Sequence, residues 1–141
     1  MSGTETGEAL AGTERLVEAV RRRYPITDER LLSALRTVDR RPFLEGSAAA
    51  DPYDDRSYSI RRADDGTRLS SSTAPSLSAL MIQALRLEPR NTVLEIGTAT
   101  GYNAALLSRV VGPSGSVVSV DGFHRIRKTA GGCMTGMAKF D

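Results

Sequence analysis

Residues 93–101 read Val-Leu-Glu-Ile-Gly-Thr-Ala-Thr-Gly, and residues 117–121 read Val-Val-Ser-Val-Asp. The first stretch predicts a buried strand, Thr92–Ile96, that runs into a turn of small residues. The second predicts another buried strand, Ser116–Val120, that ends at a carboxylate, and the apolar spacing of Tyr102–Val111 between them predicts a helix. A strand, a helix and a strand in this order form a βαβ unit with parallel strands and a right-handed crossover. We therefore predict an α/β fold.

The composition of the 141-residue chain restricts the class of protein. It is 40% hydrophobic and 26% charged, as in soluble globular domains, and its net charge of +2 lacks the basic excess of a dedicated nucleic-acid binder. Short basic clusters such as Arg40–Arg41 are interpreted as solvent-exposed faces, with a partner-binding surface as the alternative. One cysteine and one histidine argue against an internal disulfide or a metal site. We expect no membrane span and no signal peptide, and hence a cytoplasmic protein.

Two amphipathic helices are predicted near the N-terminus. The first runs from about Glu8 to Arg23, and the second runs from Asp28 to Val38 with Thr27 as its N-cap. The apolar residues of the first are Leu10, Leu16, Val17 and Val20, and those of the second are Leu31, Leu32, Leu35 and Val38.

Residues 39–69 show no clear hydrophobic period and are interpreted as a long irregular connection. Its predicted apolar anchors are Phe43, Leu44, Tyr53, Tyr58 and Ile60. Ser70–Thr73 then offers several N-caps before Pro75, which suits the first turn of a third helix that extends to about Leu87. The predicted apolar face of this helix is Leu77, Leu80, Met81, Ala84 and Leu85.

The turn after the first predicted strand has the features of a nucleotide-binding pocket. Small residues at Gly97, Ala99 and Gly101 allow a sharp turn and a close approach of a ligand, and the next helix N-terminus favours an anionic group. Asp121 ends the second strand, where a carboxylate can accept both ribose hydroxyls. Dinucleotide sites usually read Gly-x-Gly-x-x-Gly, which this turn does not. Glu95, Gly97 and Gly101 instead match the spacing of S-adenosylmethionine sites, from which Ala99 departs, and an ordinary turn without a ligand is the third interpretation.

Four motifs, in order along the chain, resemble those of the protein-L-isoaspartate O-methyltransferase family. Residues 94–107, Leu-Glu-Ile-Gly-Thr-Ala-Thr-Gly-Tyr-Asn-Ala-Ala-Leu-Leu, resemble its motif I. Residues 38–44 are similar to its Val-Pro-Arg-x-x-Phe-Val element, and residues 51–58 to its Ala-Tyr-x-Asp stretch. Residues 70–79 are similar to its Ile-Ser-x-Pro element. The resemblance covers roughly residues 10–121.

The resemblance implies a Rossmann-like S-adenosylmethionine-dependent methyltransferase fold behind N-terminal helices. It also implies methyl transfer from S-adenosyl-L-methionine to the carboxylate of an L-isoaspartyl residue in a protein or peptide substrate. A carboxylate is already nucleophilic at neutral pH, so the site has only to align the reactants and exclude water.

The resemblance also implies roles for individual residues. Thr73, with Ser72 beside it, helps hold the isoaspartyl carboxylate, and a helix N-cap is the alternative role for Thr73. Glu95 is expected to orient the turn and the methionine amino end, and Asp121 to bind the ribose. The residues implied to bind the cofactor are Glu95, Gly97, Thr98, Ala99, Gly101 and Asp121.

Three segments are predicted: a helical and irregular cap over 1–69, a partial methyltransferase βαβ core over 70–121, and a glycine-rich tail over 122–141 that does not resemble the family and is expected to be poorly ordered. Because only two strands are predicted, we expect an incomplete Rossmann-like fold, activity impaired by truncation, and strand edges open to self-association. Two alternatives are a non-catalytic module whose N-terminal helices bind a partner or a full-length paralogue, and a nicotinamide-dependent oxidoreductase.

Overall fold

The computed structural model describes residues 3–45 and 51–121, with side chains from residue 7 onward. This part of the chain contains both helices and strands, which alternate from residue 75 onward, so the predicted α/β class is confirmed. The elements are α1 Gly3–Arg23, α2 Glu29–Thr37, a 3-10 turn at Arg41–Phe43, β1 Tyr58–Arg62, β2 Arg68–Ser72, α3 Pro75–Ala84, β3 Thr92–Ile96, α4 Tyr102–Val111 and β4 Ser116–Val120. The predicted tail, 122–141, lies outside the described residues.

The βαβ unit is confirmed with the bounds that the sequence predicts. β3 and β4 are parallel, and their register runs from Thr92 opposite Ser116 to Ile96 opposite Val120. One face of this pair is covered, because alternate residues such as Val93 are buried in the core. On β3 the other face is open, since Leu94 is 63% exposed and Ile96 is 82% exposed.

The four helices and the covered face of the sheet share one hydrophobic cluster. α1 packs on α2 and α3, while α2 packs on α4. The cluster includes Leu16, Val20, Leu31, Leu35, Ala79, Ile82, Val93, Leu106, Val110 and Val117. Leu10, predicted to face this core, is 60% exposed because it lies in the N-terminal half of α1, ahead of the buried residues that start at Gly12. The predicted boundary between the cap, 1–69, and the βαβ core, 70–121, stays a prediction.

The N-cap of α2 is Asp28, not Thr27. The Asp28 carboxylate accepts hydrogen bonds from the backbone N–H groups of Arg30, at 2.9 Å, and Leu31, at 3.3 Å. The Thr27 N–H instead donates to the side-chain oxygen of Gln83 at 2.7 Å. The predicted start is therefore wrong by one residue: both types are good caps, and tertiary contacts select the aspartate.

An antiparallel hairpin, β1 and β2, replaces much of the predicted irregular connection. Tyr58 pairs with Ser72, and Arg62 pairs with Arg68, with register irregularities between them. Both strands are largely exposed, so no apolar alternation marks them in the sequence. Ile60, predicted to be an anchor, is 37% exposed. Two other predicted anchors are confirmed, since Leu44 and Tyr53 are buried.

Helix α3 presents to the core a different face from the one predicted, and it ends at Ala84 rather than Leu87. Its buried residues are Pro75, Ser76, Ser78, Ala79 and Ile82. Leu77, Met81 and Leu85 are 42%, 48% and 56% exposed, so their assignment to the core is wrong. Small side chains, those of Ser76, Ser78 and Ala79, thus make up most of the buried face, and Ile82 is its one long apolar side chain.

Candidate functional site

A cavity of about 200 Å³ lies between the segment after β2 and the turn after β3. Its lining residues are Ser71, Ser72, Thr73, Ser78, Met81, Glu95, Ile96, Gly97, Thr98, Ala99, Thr100, Tyr102 and Asn103. Ser72 and Thr73, the residues implied to hold the substrate, therefore line one cavity with four of the six residues implied to bind the cofactor. These four are Glu95, Gly97, Thr98 and Ala99. The other two, Gly101 and Asp121, are not among the lining residues.

The turn after β3 uses left-handed backbone at three positions. Gly97, Ala99 and Gly101 have φ of 95°, 47° and 89°. The Gly97 N–H donates to the Val120 carbonyl at 2.8 Å, which ties the turn to β4, and the Gly101 N–H closes the turn on the Thr98 carbonyl at 2.8 Å. A glycine at the first and last positions avoids the steric cost that a side chain adds in this conformation.

Glu95 is the buried polar centre of the βαβ unit. It is 8% exposed, and its carboxylate accepts hydrogen bonds from the side-chain amide of Asn103, at 2.7 Å, and from the Ser119 hydroxyl. The Ser119 hydroxyl also bonds to that of Thr98 at 2.5 Å. Glu95 thus joins β3, β4 and α4 directly beneath the turn. Its expected role toward the amino end of a ligand stays a prediction.

Asn103 and Ser119 are site residues that sequence reasoning missed. Because a carboxylate only accepts, the bond to Glu95 fixes which end of the Asn103 amide faces it. The Asn103 carbonyl oxygen is buried and has no hydrogen-bond partner, although it belongs to a residue that lines the cavity. An acceptor in this position suits a cationic ligand group. Asn103 lies inside motif I, but only the fold shows which way its side chain points.

Asp121 lies at the end of β4 and contacts the turn. Its carboxylate accepts a hydrogen bond from the Ala99 N–H at 3.0 Å. This bond places the carboxylate beside the turn, at the carboxyl ends of two parallel strands, where ligands of open α/β sheets bind. The expected contact with a ribose stays a prediction.

Asp55, which sequence reasoning also missed, caps α3. Its carboxylate accepts from the Ser76 N–H at 2.8 Å, whereas the N-cap position itself is Ala74, whose side chain makes no capping bond. The alternative role of Thr73 as the N-cap is therefore wrong. Ser72 is 3% exposed and ends β2, and Thr73 follows it, half-buried, at the wall of the cavity.

Arg40, interpreted from the sequence as part of a solvated basic cluster, is fully buried. It lies behind this wall, and its guanidinium donates to the Ser72 hydroxyl and to the Thr73 carbonyl. Burial lowers the pKa of Arg40, and nearby tyrosines and aspartates oppose that shift. Burial also raises the pKa of Tyr102, which begins α4 and contacts Arg40. Charge and hydropathy do not distinguish this buried arginine from the neighbouring Arg41; only the Val-Pro-Arg-x-x-Phe-Val element, whose arginine falls at position 40, separates the two.

Two other kinds of feature are not found in the part of the chain that the structure describes. No group of three or more His, Cys, Asp or Glu side chains is arranged to hold a metal ion. Within the same ranges, no helix combines the length and apolar character needed to cross a bilayer.

Two curated proteins and one solved structure that are similar to this chain carry the same name. A curated protein-L-isoaspartate O-methyltransferase of Roseobacter denitrificans is 45% identical over 85 residues, which are 60% of this chain and 37% of that protein. One of Cereibacter sphaeroides is 39% identical over 116 residues, 82% of this chain and 48% of that protein. A solved structure titled protein-L-isoaspartate O-methyltransferase aligns with a TM-score of 0.67 and 38% identity, over 81% of this chain and 35% of that one.

The fold class is therefore that of the Rossmann-like methyltransferases. The sequence model of the protein-L-isoaspartate(D-aspartate) O-methyltransferase family matches residues 11–135, and the chain belongs to that family. The match continues past Asp121, where we expected the resemblance to end. The chain spans less than half the length of each of these relatives.

Proposed function

We propose that this chain binds S-adenosyl-L-methionine and acts in methyl transfer to the free carboxylate of L-isoaspartyl residues in proteins or peptides. The observation that carries the proposal is the shared cavity, which joins the Thr73 segment to the turn after β3. Family membership and the names of the relatives support the same activity. Protein repair and peptide modification both remain within this substrate class.

The residues around the turn suit the cofactor. The glycines at 97 and 101 bring backbone close to a ligand, the first turn of α4 offers N–H groups to a carboxylate, and the Asn103 carbonyl oxygen offers an acceptor to an ammonium group. The cavity is smaller than the roughly 300–1,000 Å³ of typical ligand pockets. We therefore assign it the methionine end of the cofactor, with the ribose extending toward Asp121. When bound, the cofactor supplies an activated methyl group on its sulfonium.

The chain's own contribution is to hold and align a carboxylate that needs no deprotonation. The Thr73 hydroxyl, not engaged in capping α3, donates a hydrogen bond to that carboxylate at the cavity wall. Ser72 fixes the wall from behind through its contact with Arg40. A lining that excludes water strengthens these contacts and shields the reactants.

Ligand choice is tested by calorimetric titration with S-adenosylhomocysteine and with NAD. We expect binding of the first and none of the second. Binding of NAD alone would support the oxidoreductase, and binding of neither would overturn the assignment of the site. Transfer of a labelled methyl group to an isoaspartyl peptide, with the matched aspartyl peptide as control, then tests the reaction.

Replacing Thr73 with alanine tests the contact with the substrate. A hydrogen bond to a charged group contributes about 1.5–3 kcal/mol, so we expect T73A to lower methylation efficiency by roughly 10- to 100-fold. The affinity for S-adenosylhomocysteine should stay unchanged. Ser33→Ala, at an exposed hydroxyl on α2, is the matched control. Equal loss in both variants, or no loss in T73A, contradicts the role of Thr73.

The open face of β3 favours a second candidate, a non-catalytic module that associates through its apolar surface. The exposed apolar side chains that support it are Leu94 and Ile96 on β3, Met81 on α3 and Leu85 directly after α3. Under this candidate the chain associates with itself or a partner and does not bind S-adenosylhomocysteine. Impaired activity and a cytoplasmic location stay predictions.

A further inference from the structure

Arg40 is a buried cation that joins two segments far apart in sequence. Its side chain has no exposed surface. One guanidinium nitrogen, Nη1, donates to the carbonyls of Pro52 and Asp54 at 3.2 and 3.0 Å. The other, Nη2, donates to the Arg56 carbonyl at 3.2 Å. These bonds hold the loop over residues 52–56, which also supplies the Asp55 cap of α3.

The same guanidinium reaches the cavity wall. Nη2 donates to the Thr73 carbonyl at 3.3 Å and approaches the Ser72 hydroxyl at 3.5 Å. Thr73 is the residue proposed to contact the substrate, and its carbonyl is the backbone atom held here. Arg40 therefore restrains the backbone that carries the Thr73 side chain.

Two aromatic rings lie against the guanidinium. The central carbon of Arg40 lies 5.4 Å from the ring centroid of Tyr58, on β1, and 5.4 Å from that of Tyr102. Both distances fall within the range of cation–π attraction. Tyr102 is the first residue of α4, directly after the turn implied to bind the cofactor. Arg40 thus contacts the substrate side and the cofactor side of the cavity at once.

We propose that Arg40 is a positioning residue that fixes the Ser72–Thr73 wall against the first turn of α4 and so sets the alignment of the two ligands. A planar cation with several separated donors can bond carbonyls of two segments while it also contacts two rings. Lysine keeps the charge, but its three donors share one nitrogen, so we expect it to hold either the 52–56 loop or the Thr73 carbonyl and not both. We call the bonds from Arg40 to the 52–56 loop and to the Thr73 carbonyl the clamp. The effect of Arg40 on ligand alignment rests on the proposed function, whereas the clamp does not.

The clamp is tested by amide hydrogen exchange in Arg40→Lys, with Arg36→Lys, a partly exposed arginine paired with Glu14, as the matched control. We expect exchange in residues 52–56 and 72–76 to rise at least tenfold in R40K, while β3, β4 and the rest of α4 keep their protection. Unchanged exchange in those two segments overturns the clamp, and so does a rise of equal size in every element.

A milder pair of variants covers the case in which R40K does not fold. Tyr58→Leu and Tyr58→Phe both lose the hydroxyl bond to the Asp51 carbonyl, but only the leucine variant loses the ring that faces Arg40. We expect faster exchange in residues 72–76 of Y58L than of Y58F. Equal exchange in the two variants overturns the contribution of the ring.

Binding separates this inference from the proposed function. In R40K the affinity for the isoaspartyl peptide should fall at least tenfold while that for S-adenosylhomocysteine changes less than threefold. An equal loss for both ligands indicates a merely structural role and overturns the positioning role. Absence of peptide binding by the unsubstituted chain rejects the substrate assignment instead, and the exchange result still decides whether Arg40 is a clamp.

Discussion

At the scale of the residue, one turn carries most of the unusual backbone of the βαβ unit. Gly97 and Gly101 adopt left-handed φ without a side chain to oppose it, but Ala99 adopts a φ of 47° with its methyl group in place. A non-glycine residue in this region costs roughly 1–2 kcal/mol. Ala99 is also the position where the turn departs from the glycine spacing of S-adenosylmethionine sites, so the departure carries an energetic penalty.

A pair of opposite substitutions tests this strain. Ala99→Gly should stabilise the chain by up to about 1 kcal/mol, because it removes a strained side chain at a modest entropic cost. Gly97→Ala should destabilise it by about 1–2 kcal/mol, since no atom lies within 4 Å of the added carbon and only the φ of 95° opposes it. Urea unfolding measures both. Shifts of the same sign contradict the strain at this turn.

At the scale of the element, the quality of each prediction follows the strength of its local signal. The βαβ unit was predicted to the residue because apolar strands flank a glycine turn and a helix with a clear period. The hairpin was missed because Arg61, Arg62 and their neighbours leave both strand faces largely exposed. The prediction of the buried face of α3 was wrong because hydropathy alone favours Leu77 and Met81. In the folded chain Ser76, Ser78 and Ala79 are buried instead.

The cap of α3 by Asp55 is a tertiary contact that the sequence does not reveal, and its contribution is measurable. Asp55→Ala leaves the Ser76 N–H without its acceptor, and loss of an N-cap typically costs about 0.5–2 kcal/mol. We expect a lower denaturation midpoint, with faster hydrogen exchange at Leu77 and Ser78. Asp54→Ala, in the same loop, is the control because the bond from Arg40 uses the Asp54 backbone carbonyl, which the substitution keeps. A similar loss in both variants contradicts a specific cap.

At the scale of the whole molecule, the sequence predicts the fold class and the segments that carry the site. It does not predict that these segments meet at one cavity. Motif positions place Thr73 and Gly97 on separate segments, and only the packed helices bring them to one cavity. The partners that hold them, Arg40 and Asp55, interact across long sequence separations with no periodic pattern. Tertiary contacts of this kind decide the site, and local propensity carries no information about them.

The open side of the parallel pair predicts association. Parallel sheets are normally covered on both faces, but Leu94 and Ile96 are 63% and 82% exposed. We expect concentration-dependent self-association in sedimentation, weakened when both residues are replaced by threonine, which keeps the strand propensity. Leu10→Thr, at an exposed leucine on α1, is the control. A monomer at every concentration, or an equal effect of the control, contradicts association through this face.

The two rings that contact Arg40 give the molecule an optical reporter. The chain has no tryptophan and four tyrosines, and two of those tyrosines contact this guanidinium. A large part of the near-ultraviolet circular dichroism should therefore come from one small region behind the cavity wall, where the rings are held asymmetrically. Loosening of the wall can then be followed without a label, as a loss of tyrosine ellipticity while the helical signal persists.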